Sequence, residues 1–242
     1  MIIVRPQDAV HKSHLLRLLN EILDTPLLAN ALYFKGGTCA SLMGILDRFS
    51  VDLDFDIKKD ADESILKADF HKVFAKLNFE VKDESQHALQ FFLKYPSADN
   101  QRNTLKIDAL NTPVLANKYA PVFLAELDRI AVCQTKETLF ANKLVALLDR
   151  YQRSKNIAGR DVYDIHHFFL KGLAYDEAII QERTKQSTKE FFKTLVAFIQ
   201  DKISQQVLDQ DLNALLPSDS FQRIRKTLKV EVVGLFNQEI AK

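Results

Sequence analysis

The stretch Val51-Asp52-Leu53-Asp54-Phe55-Asp56-Ile57 alternates apolar and acidic residues along its whole length. A period of two is typical of a β-strand whose two faces differ. One face is then apolar, and the other carries three carboxylates that repel each other unless a cation neutralises them. Carboxylate oxygens are the ligands that Mg²⁺ prefers in proteins. The stretch therefore predicts a strand that offers a metal site, with Asp52 and Asp54 as ligands.

A glycine turn comes before this strand in the chain. The residues Leu32-Tyr33-Phe34 predict a short strand, Gly36-Gly37-Thr38 a turn, and the apolar spacing from Cys39 to Leu46 a helix. Glycines let the backbone approach a ligand closely, Thr38 is a candidate cap of the helix, and the N–H groups of such a turn attract phosphate. The turn is therefore a candidate nucleotide-binding segment, and Ser50, two residues before Asp52, is a further candidate.

The order and spacing of these motifs resemble the nucleotidyltransferase signature of the DNA polymerase β superfamily. More narrowly, four segments resemble the AbiEii family, the nucleotidyltransferase-like toxins of bacterial type IV toxin–antitoxin systems. These segments are Phe34 to Thr38, Arg48 to Phe55, Glu137 to Arg150 and Arg160 to Ile165. The resemblance spans the chain from Leu32 to Phe168.

The two halves of the chain differ in their predicted structure. Up to about Ile130, amphipathic helices and strand-like stretches follow one another, with a polar turn from Pro96 to Asn103. From Thr135 onward the pattern is helical almost to the end. We therefore predict an α+β fold, in which a nucleotidyltransferase-like lobe with a short mixed sheet occupies residues 1–133 and a mostly helical lobe occupies residues 134–242.

Three further polar residues are candidates for the site. Asp108 lies on the predicted strand Thr104 to Leu110, where it is either a solvent-facing residue or, as the superfamily implies, the third carboxylate. Lys143 interrupts an apolar helical stripe, so it is either a surface lysine or, as the family match implies, a contact to the triphosphate. Asp161 is either a helix cap with an internal ion pair or, by the same resemblance, a residue that orients Lys143 or contacts the nucleotide.

Composition narrows the class of protein only coarsely. The chain has 242 residues, of which 47% are hydrophobic and 27% charged, and this excludes disordered and collagen-like chains. A formal net charge of +1 gives no global electrostatic case for nucleic acid. Local charge is concentrated in a predicted basic loop, which either is simply solvated or contacts phosphate or RNA. Its basic residues are Arg150, Arg153, Lys155 and Arg160.

The compartment is predicted from two absences in the sequence. The two cysteines, Cys39 and Cys133, lie far apart and do not suggest a disulfide framework. No apolar run approaches the ~20 residues needed to span a bilayer. We therefore expect a cytoplasmic protein without a membrane partner.

The motifs and the resemblance together predict a nucleotidyltransferase that uses an NTP with Mg²⁺ or Mn²⁺. Asp52, Asp54 and Asp108 would hold the metal, and Lys143 and Asp161 would complete the catalytic group. The resemblance implies a growth-inhibiting toxin, an RNA acceptor such as the 3′ end of tRNA, and a cognate antitoxin encoded nearby. Three alternatives stay open: a small-molecule nucleotidyltransferase of the antibiotic-modifying type, a kinase-like enzyme that modifies its partner, and a non-catalytic nucleotide-binding module.

Overall fold

The computed structural model describes residues 1–98, 101–111 and 114–242. Residues 99 and 100, which belong to the turn predicted from Pro96 to Asn103, lie outside the described residues. The chain divides into two compact units. The sheet unit comprises Met1–Pro113 and Tyr119–Gln134, and the helical unit comprises Val114–Lys118 and Thr135–Lys242.

The described part of the sheet unit contains four helices and seven strands. They are α1 (Pro6–Asp24), α2 (Pro26–Ala31), β1 (Leu32–Lys35), α3 (Gly36–Leu42), β2 (Asp52–Ile57), α4 (Glu63–Lys76), β3 (Glu80–Glu84), β4 (Leu89–Lys94), β5 (Thr104–Leu110), β6 (Tyr119–Leu124) and β7 (Arg129–Gln134). The strands form one sheet in the order β3-β4-β5-β2-β1-β7-β6. The acid-bearing strand β2 lies at the centre, parallel to β5 and antiparallel to β1. This mixed sheet confirms the predicted fold class.

The alternating pattern of β2 separates the two faces of the sheet. Leu53 and Phe55 are fully buried on one face, where each buried side chain contributes roughly 1.5–3 kcal/mol to the free energy of unfolding. Helix α4 covers this apolar face farther along the sheet, because the rings of Phe70 and Phe74 pack 5.2 and 5.1 Å from the ring of Phe91 on β4. The acidic residues of β2 are therefore presented on the opposite face.

A buried histidine fixes the start of β2. His11 of α1 donates a hydrogen bond from Nε2 to the carbonyl of Val51 at 3.0 Å, and its Nδ1 lies 2.7 Å from the hydroxyl of Tyr95. Burial lowers the pKa of His11 to about 4, so the imidazole is neutral at neutral pH. Because Val51 directly precedes Asp52, this contact helps to hold the first acid of the strand in place.

The helical unit contains seven helices among its described residues. They are α5 (Lys136–Ser154), α6 (Gly159–Leu170), α7 (Glu177–Thr184), α8 (Thr188–Lys202), α9 (Gln205–Leu212), α10 (Ser218–Ile224) and α11 (Leu228–Ala241). The predicted helix start at Lys136 is confirmed, with the Thr135 side chain accepting a hydrogen bond from the Thr138 N–H. The core of the unit is aromatic, since Phe140, Phe168 and Phe192 are buried.

The structure differs from the prediction at three places. The helix after the glycine turn begins at Gly36 and ends at Leu42, earlier than the predicted Leu46, and Gly44 adopts a φ of +73° just beyond it. This left-handed residue turns the chain out of the helix. The β6–β7 hairpin was not predicted. The predicted basic loop is wrong, because α5 continues to Ser154 and α6 begins at Gly159.

The length and polarity of the helices decide whether any of them could span a membrane. Throughout residues 1–98, 101–111 and 114–242, each helix is too short or too polar to cross a bilayer.

Candidate active site

Strand register brings the three predicted metal ligands to one face of the sheet. Asp54 of β2 pairs in register with Asp108 of the parallel neighbour β5, and Asp52 precedes Asp54 by two residues on the same face. Adjacent strands lie about 4.8 Å apart. The carboxylates of Asp54 and Asp108 are thus anchored close enough for both to reach a single ion.

The carboxylate of Asp108 has hydrogen-bond partners on only one of its oxygens. Its Oδ2 accepts hydrogen bonds from Lys106 Nζ at 2.8 Å and from Gln90 Nε2 at 3.2 Å. Its Oδ1 is buried and has no hydrogen-bond partner among the residues that the structure describes. A buried polar atom without a partner is costly and calls for an explanation, and an unpartnered carboxylate oxygen fits a cation ligand.

The side chains of the three acids do not converge on a common point. Within the part of the chain that the structure describes, no three His, Cys, Asp or Glu side chains form a group that could hold a metal ion. For all three acids to share one ion, Asp52 and Asp54 would therefore have to turn about their side-chain bonds towards Asp108. The donor chemistry fits a divalent metal, because all three side chains supply hard oxygen ligands from one face of the sheet.

The glycine turn packs directly against these acids. Gly36 has a φ of +77°, and a Cβ added there would lie 2.3 Å from Oδ2 of Asp54. At Gly37 a Cβ would lie 2.9 Å from Nη2 of Arg48 and 3.0 Å from Oγ of Ser50. Distances below 3 Å leave no room for a side chain at Gly36, so glycine is required by both its backbone angle and its neighbour. A ligand bound to the turn would lie beside Asp54.

Thr38 does not cap the helix, and that prediction was wrong. Helix α3 begins at Gly36, and its N-cap residue Lys35 makes no side-chain capping hydrogen bond. The Thr38 hydroxyl is buried, donates to the Asp52 carbonyl at 2.5 Å and lies 2.9 Å from Oγ of Ser50. Both hydroxyls therefore tie the glycine turn to the start of β2, while a phosphate contact by Thr38 or Ser50 stays a prediction.

The third acid of β2, Asp56, belongs to a separate polar cluster. Its Oδ1 lies 2.6 Å from Lys35 Nζ, and its Oδ2 accepts hydrogen bonds from Tyr119 at 2.9 Å and Gln134 at 2.6 Å. These contacts fix Lys35 at the entrance to the glycine turn. The sequence analysis did not predict the ion pair between Lys35 and Asp56. The position of Lys35 directly before Gly36 could have indicated that Lys35 lies near the site.

In the helical unit, Lys143 is held by two buried carboxylates. Its Nζ lies 3.0 Å from Asp161 and 3.0 Å from Asp164, whose side chains are 2% and 0% exposed. Arg150 donates to the second oxygen of Asp161 at 3.3 Å. Burial by itself would raise the pKa of Asp161, but Lys143 and Arg150 lower it to about 2. Asp161 thus forms a buried ion pair with Lys143. The orienting role of Asp161 and a contact between Lys143 and phosphate both stay predictions.

The four basic residues of the predicted loop lie around a helix junction, and we call them the basic cluster. Arg150 and Arg153 belong to the last turns of α5, Lys155 has a φ of +56° just after it, and Arg160 belongs to α6. The side chain of Arg153 is 74% exposed, and Lys155 Nζ lies 5.0 Å from the ring centroid of Tyr151. Arg153 therefore remains accessible to a ligand, whereas Arg150 contacts Asp161.

Comparison with solved structures identifies the same fold elsewhere. The crystal structure of JHP933 from Helicobacter pylori is 19% identical, with 99% of this chain and 95% of that chain covered and a TM-score of 0.59. MenT4, the nucleotidyltransferase toxin Rv2826c from Mycobacterium tuberculosis H37Rv, is 17% identical, with 93% and 82% covered and a TM-score of 0.56. At these identities the likeness concerns the fold.

Sequence comparison identifies the family. No curated protein sequence is significantly similar to this chain. The family model described as "Nucleotidyl transferase AbiEii toxin, Type IV TA system" matches residues 17–228, which include both the glycine turn and the Lys143 cluster. The chain therefore belongs to the AbiEii family, and the protein is a nucleotidyltransferase toxin of the type IV toxin–antitoxin class.

Proposed function

We propose that the protein transfers a nucleotidyl group from an NTP to RNA, such as the 3′ end of tRNA, with Mg²⁺ as the metal. Family membership implies an NTP substrate and a cognate antitoxin, and typically a divalent metal. The choice of Mg²⁺ and of RNA is our proposal. The observation that carries it is the pairing of Asp54 with Asp108 directly beside Gly36, which joins an acidic strand face to a glycine turn.

In this proposal Asp52, Asp54 and Asp108 hold the metal. The bound ion would neutralise charge on the triphosphate and favour in-line attack by the acceptor hydroxyl. Asp108 would also help to activate that hydroxyl, because a carboxylate beside the reacting group can accept its proton.

The glycine turn would hold the β- and γ-phosphates. Gly36, Gly37 and Thr38 would offer backbone N–H groups, since the Thr38 hydroxyl is already engaged by the Asp52 carbonyl. The absence of side chains at the two glycines lets a phosphate approach the backbone. A phosphate held there would stand next to Asp54, one of the residues that would hold the metal.

For Lys143 we propose a contact to the triphosphate, with Asp161 as the residue that orients it. Lys143→Ala should weaken NTP binding, but it also leaves two carboxylates buried without that cation. Removing one partner from a buried ion pair costs about 3–5 kcal/mol, so the single variant confounds stability with binding. Lys143→Met combined with Asp164→Asn removes one positive and one negative charge together and serves as the matched variant.

NTP binding is measured at equilibrium without urea. The stability of each variant is measured separately by urea unfolding. We expect the double variant to be more stable than Lys143→Ala and still to bind NTP at least tenfold more weakly than wild type, because the phosphate contact is lost in both. If the folded double variant binds NTP as tightly as wild type, Lys143 does not contact the triphosphate and only forms ion pairs with Asp161 and Asp164.

For the acceptor we propose that RNA contacts the basic cluster. Neutralised RNA phosphates release counterions, so binding should weaken steeply with salt, by about 0.7 log units per log unit of salt for each contact with single-stranded RNA. Replacing Arg153 and Lys155 by alanine should therefore weaken RNA binding and reduce the slope by about 1.4. Neither residue belongs to the buried core, so the double variant should fold normally.

The matched control replaces Lys189 and Lys193, two exposed lysines of α8, by alanine. It changes the net charge by the same amount but should leave the slope unchanged. RNA binding would be followed by fluorescence anisotropy across a salt series. Identical slopes for wild type and the Arg153/Lys155 variant would remove the basic cluster from the RNA site.

A cytoplasmic location also belongs to the proposal. Cys39 and Cys133 are both buried free thiols, and unpaired thiols are typical of a reducing compartment. The proposed RNA acceptor would be found in the same compartment.

A further inference from the structure

The carboxylate of Asp108 is supported by two donors that converge on the same oxygen. Gln90 of β4 pairs in register with Asp108, and Lys106 precedes Asp108 by two residues on β5, so all three side chains share one sheet face. Gln90 Nε2 and Lys106 Nζ both donate to Oδ2, at 3.2 and 2.8 Å. No donor from residues 1–98, 101–111 or 114–242 reaches Oδ1, although this oxygen is buried.

Two donors on one oxygen make the two oxygens of the carboxylate unequal. A free carboxylate turns easily about its last bond, but here such a rotation would break both hydrogen bonds to Oδ2. The bond from Lys106 is charge-assisted and therefore among the stronger ones. Lys106 is itself steadied, since its Nζ lies 5.9 Å from the ring centroid of Phe92, its register partner on β4. The orientation of Asp108 is thus set by residues that lie beside the metal face.

We infer that Gln90 and Lys106 are positioning residues that hold Asp108 with Oδ1 directed to the metal. The inference rests on the proposed metal-dependent transfer, and it adds two residues to the site. Groups that hydrogen-bond a metal ligand fix its orientation, and losing one costs about 10–100-fold in metal affinity. Gln90 gives the cleaner test, because removing Lys106 also removes a positive charge that opposes metal binding.

A purely structural role for Gln90 makes a different prediction. If Gln90 only satisfies a buried carboxylate, its loss lowers stability and leaves metal affinity unchanged. If Gln90 positions Asp108, its loss weakens metal binding, and this effect disappears once Asp108 no longer acts as a ligand. A double-mutant cycle between the two residues separates the two cases.

The experiment measures binding of Mn²⁺ alone to the intact protein, by electron paramagnetic resonance of the free ion. Four proteins form the cycle: wild type, Gln90→Met, Asp108→Asn and the double variant. We expect Gln90→Met to raise the Mn²⁺ dissociation constant about tenfold and the double variant to equal Asp108→Asn within twofold. Gln86→Met, at an exposed glutamine before β4, is the control and should match wild type.

Gln90→Asn provides a second variant in case Gln90→Met folds poorly. Asparagine keeps the amide group, but its side chain is one methylene shorter, so the amide no longer reaches Oδ2 of Asp108. This variant should therefore also weaken Mn²⁺ binding. Unchanged affinity in both Gln90 variants, or a full tenfold loss that persists in the Asp108→Asn background, would overturn the positioning role while leaving the proposed function intact. If wild type does not bind Mn²⁺ with or without NTP, the proposed metal site fails and the inference fails with it.

Discussion

Asp54→Asn should reduce nucleotidyl transfer by roughly 1000-fold, the scale of losing a strong electrostatic contact in a transition state. Asp54 lies at the centre of the acidic face, in register with Asp108 and against Gly36. Asparagine has nearly the same volume as aspartate but carries no charge. The variant should therefore keep the structure of β2 but bind the metal much more weakly. The measurement is the initial rate of labelled-nucleotide transfer at saturating Mg²⁺, with circular dichroism and urea unfolding as checks on the fold.

Asp60→Asn is the matched control for this prediction. Asp60 is exposed after β2 and has a φ of +67°, a conformation that asparagine tolerates well. The control removes the same charge a few residues away and should transfer at the wild-type rate. Wild-type transfer by a folded Asp54→Asn protein would exclude Asp54 from the metal site.

Gly36→Ala should strongly reduce the rate of transfer through geometry alone, without changing any charge. Its φ of +77° strains a residue with a side chain, and the added Cβ would lie 2.3 Å from Oδ2 of Asp54. The Asp54 carboxylate has to move to make room. A displacement of about 1 Å at a reacting group can cost roughly 100-fold in rate, so we expect a loss of at least that size.

Gly44→Ala separates backbone strain from displacement of the acid. Gly44 has a φ of +73°, almost the same as Gly36, but nothing lies within 4 Å of the Cβ that would be added there. Its substitution should cost about 1–2 kcal/mol of stability and leave transfer unchanged at 25 °C. If both variants transfer equally well after correction for the folded fraction, close packing of Gly36 on Asp54 has no role in the reaction.

The centre of the fold was predictable because its signals are local. The period of two from Val51 to Ile57 requires no knowledge of any other strand, and the glycine pair marks a turn by its own backbone freedom. The register between strands, in contrast, depends on residues that are distant in the sequence. The pairing of Asp54 with Asp108 joins residues far apart in the chain, and no pattern within either strand specifies it. Asp108 could therefore be suspected from sequence but not located.

Two errors have different physical origins, one in a tertiary contact and one in a misleading residue of the sequence. Thr38 has the residue type of a helix cap, yet its hydroxyl is taken by the Asp52 carbonyl from a neighbouring strand. The hairpin of β6 and β7 was overlooked because its first strand contains Pro121, which weakens a strand signal.

The most direct test of the central claim compares NTP labelled in the α-phosphate with NTP labelled in the γ-phosphate, each incubated with wild-type protein, total RNA and Mg²⁺. Nucleotidyl transfer leaves the α-phosphate on the acceptor and releases the β- and γ-phosphates, whereas a kinase moves the γ-phosphate. We expect α-label in RNA, no γ-label in any acceptor, and loss of the α-label signal with chelator or with Asp54→Asn. Gamma-label in an acceptor, or α-label in RNA that persists in Asp54→Asn, would contradict it.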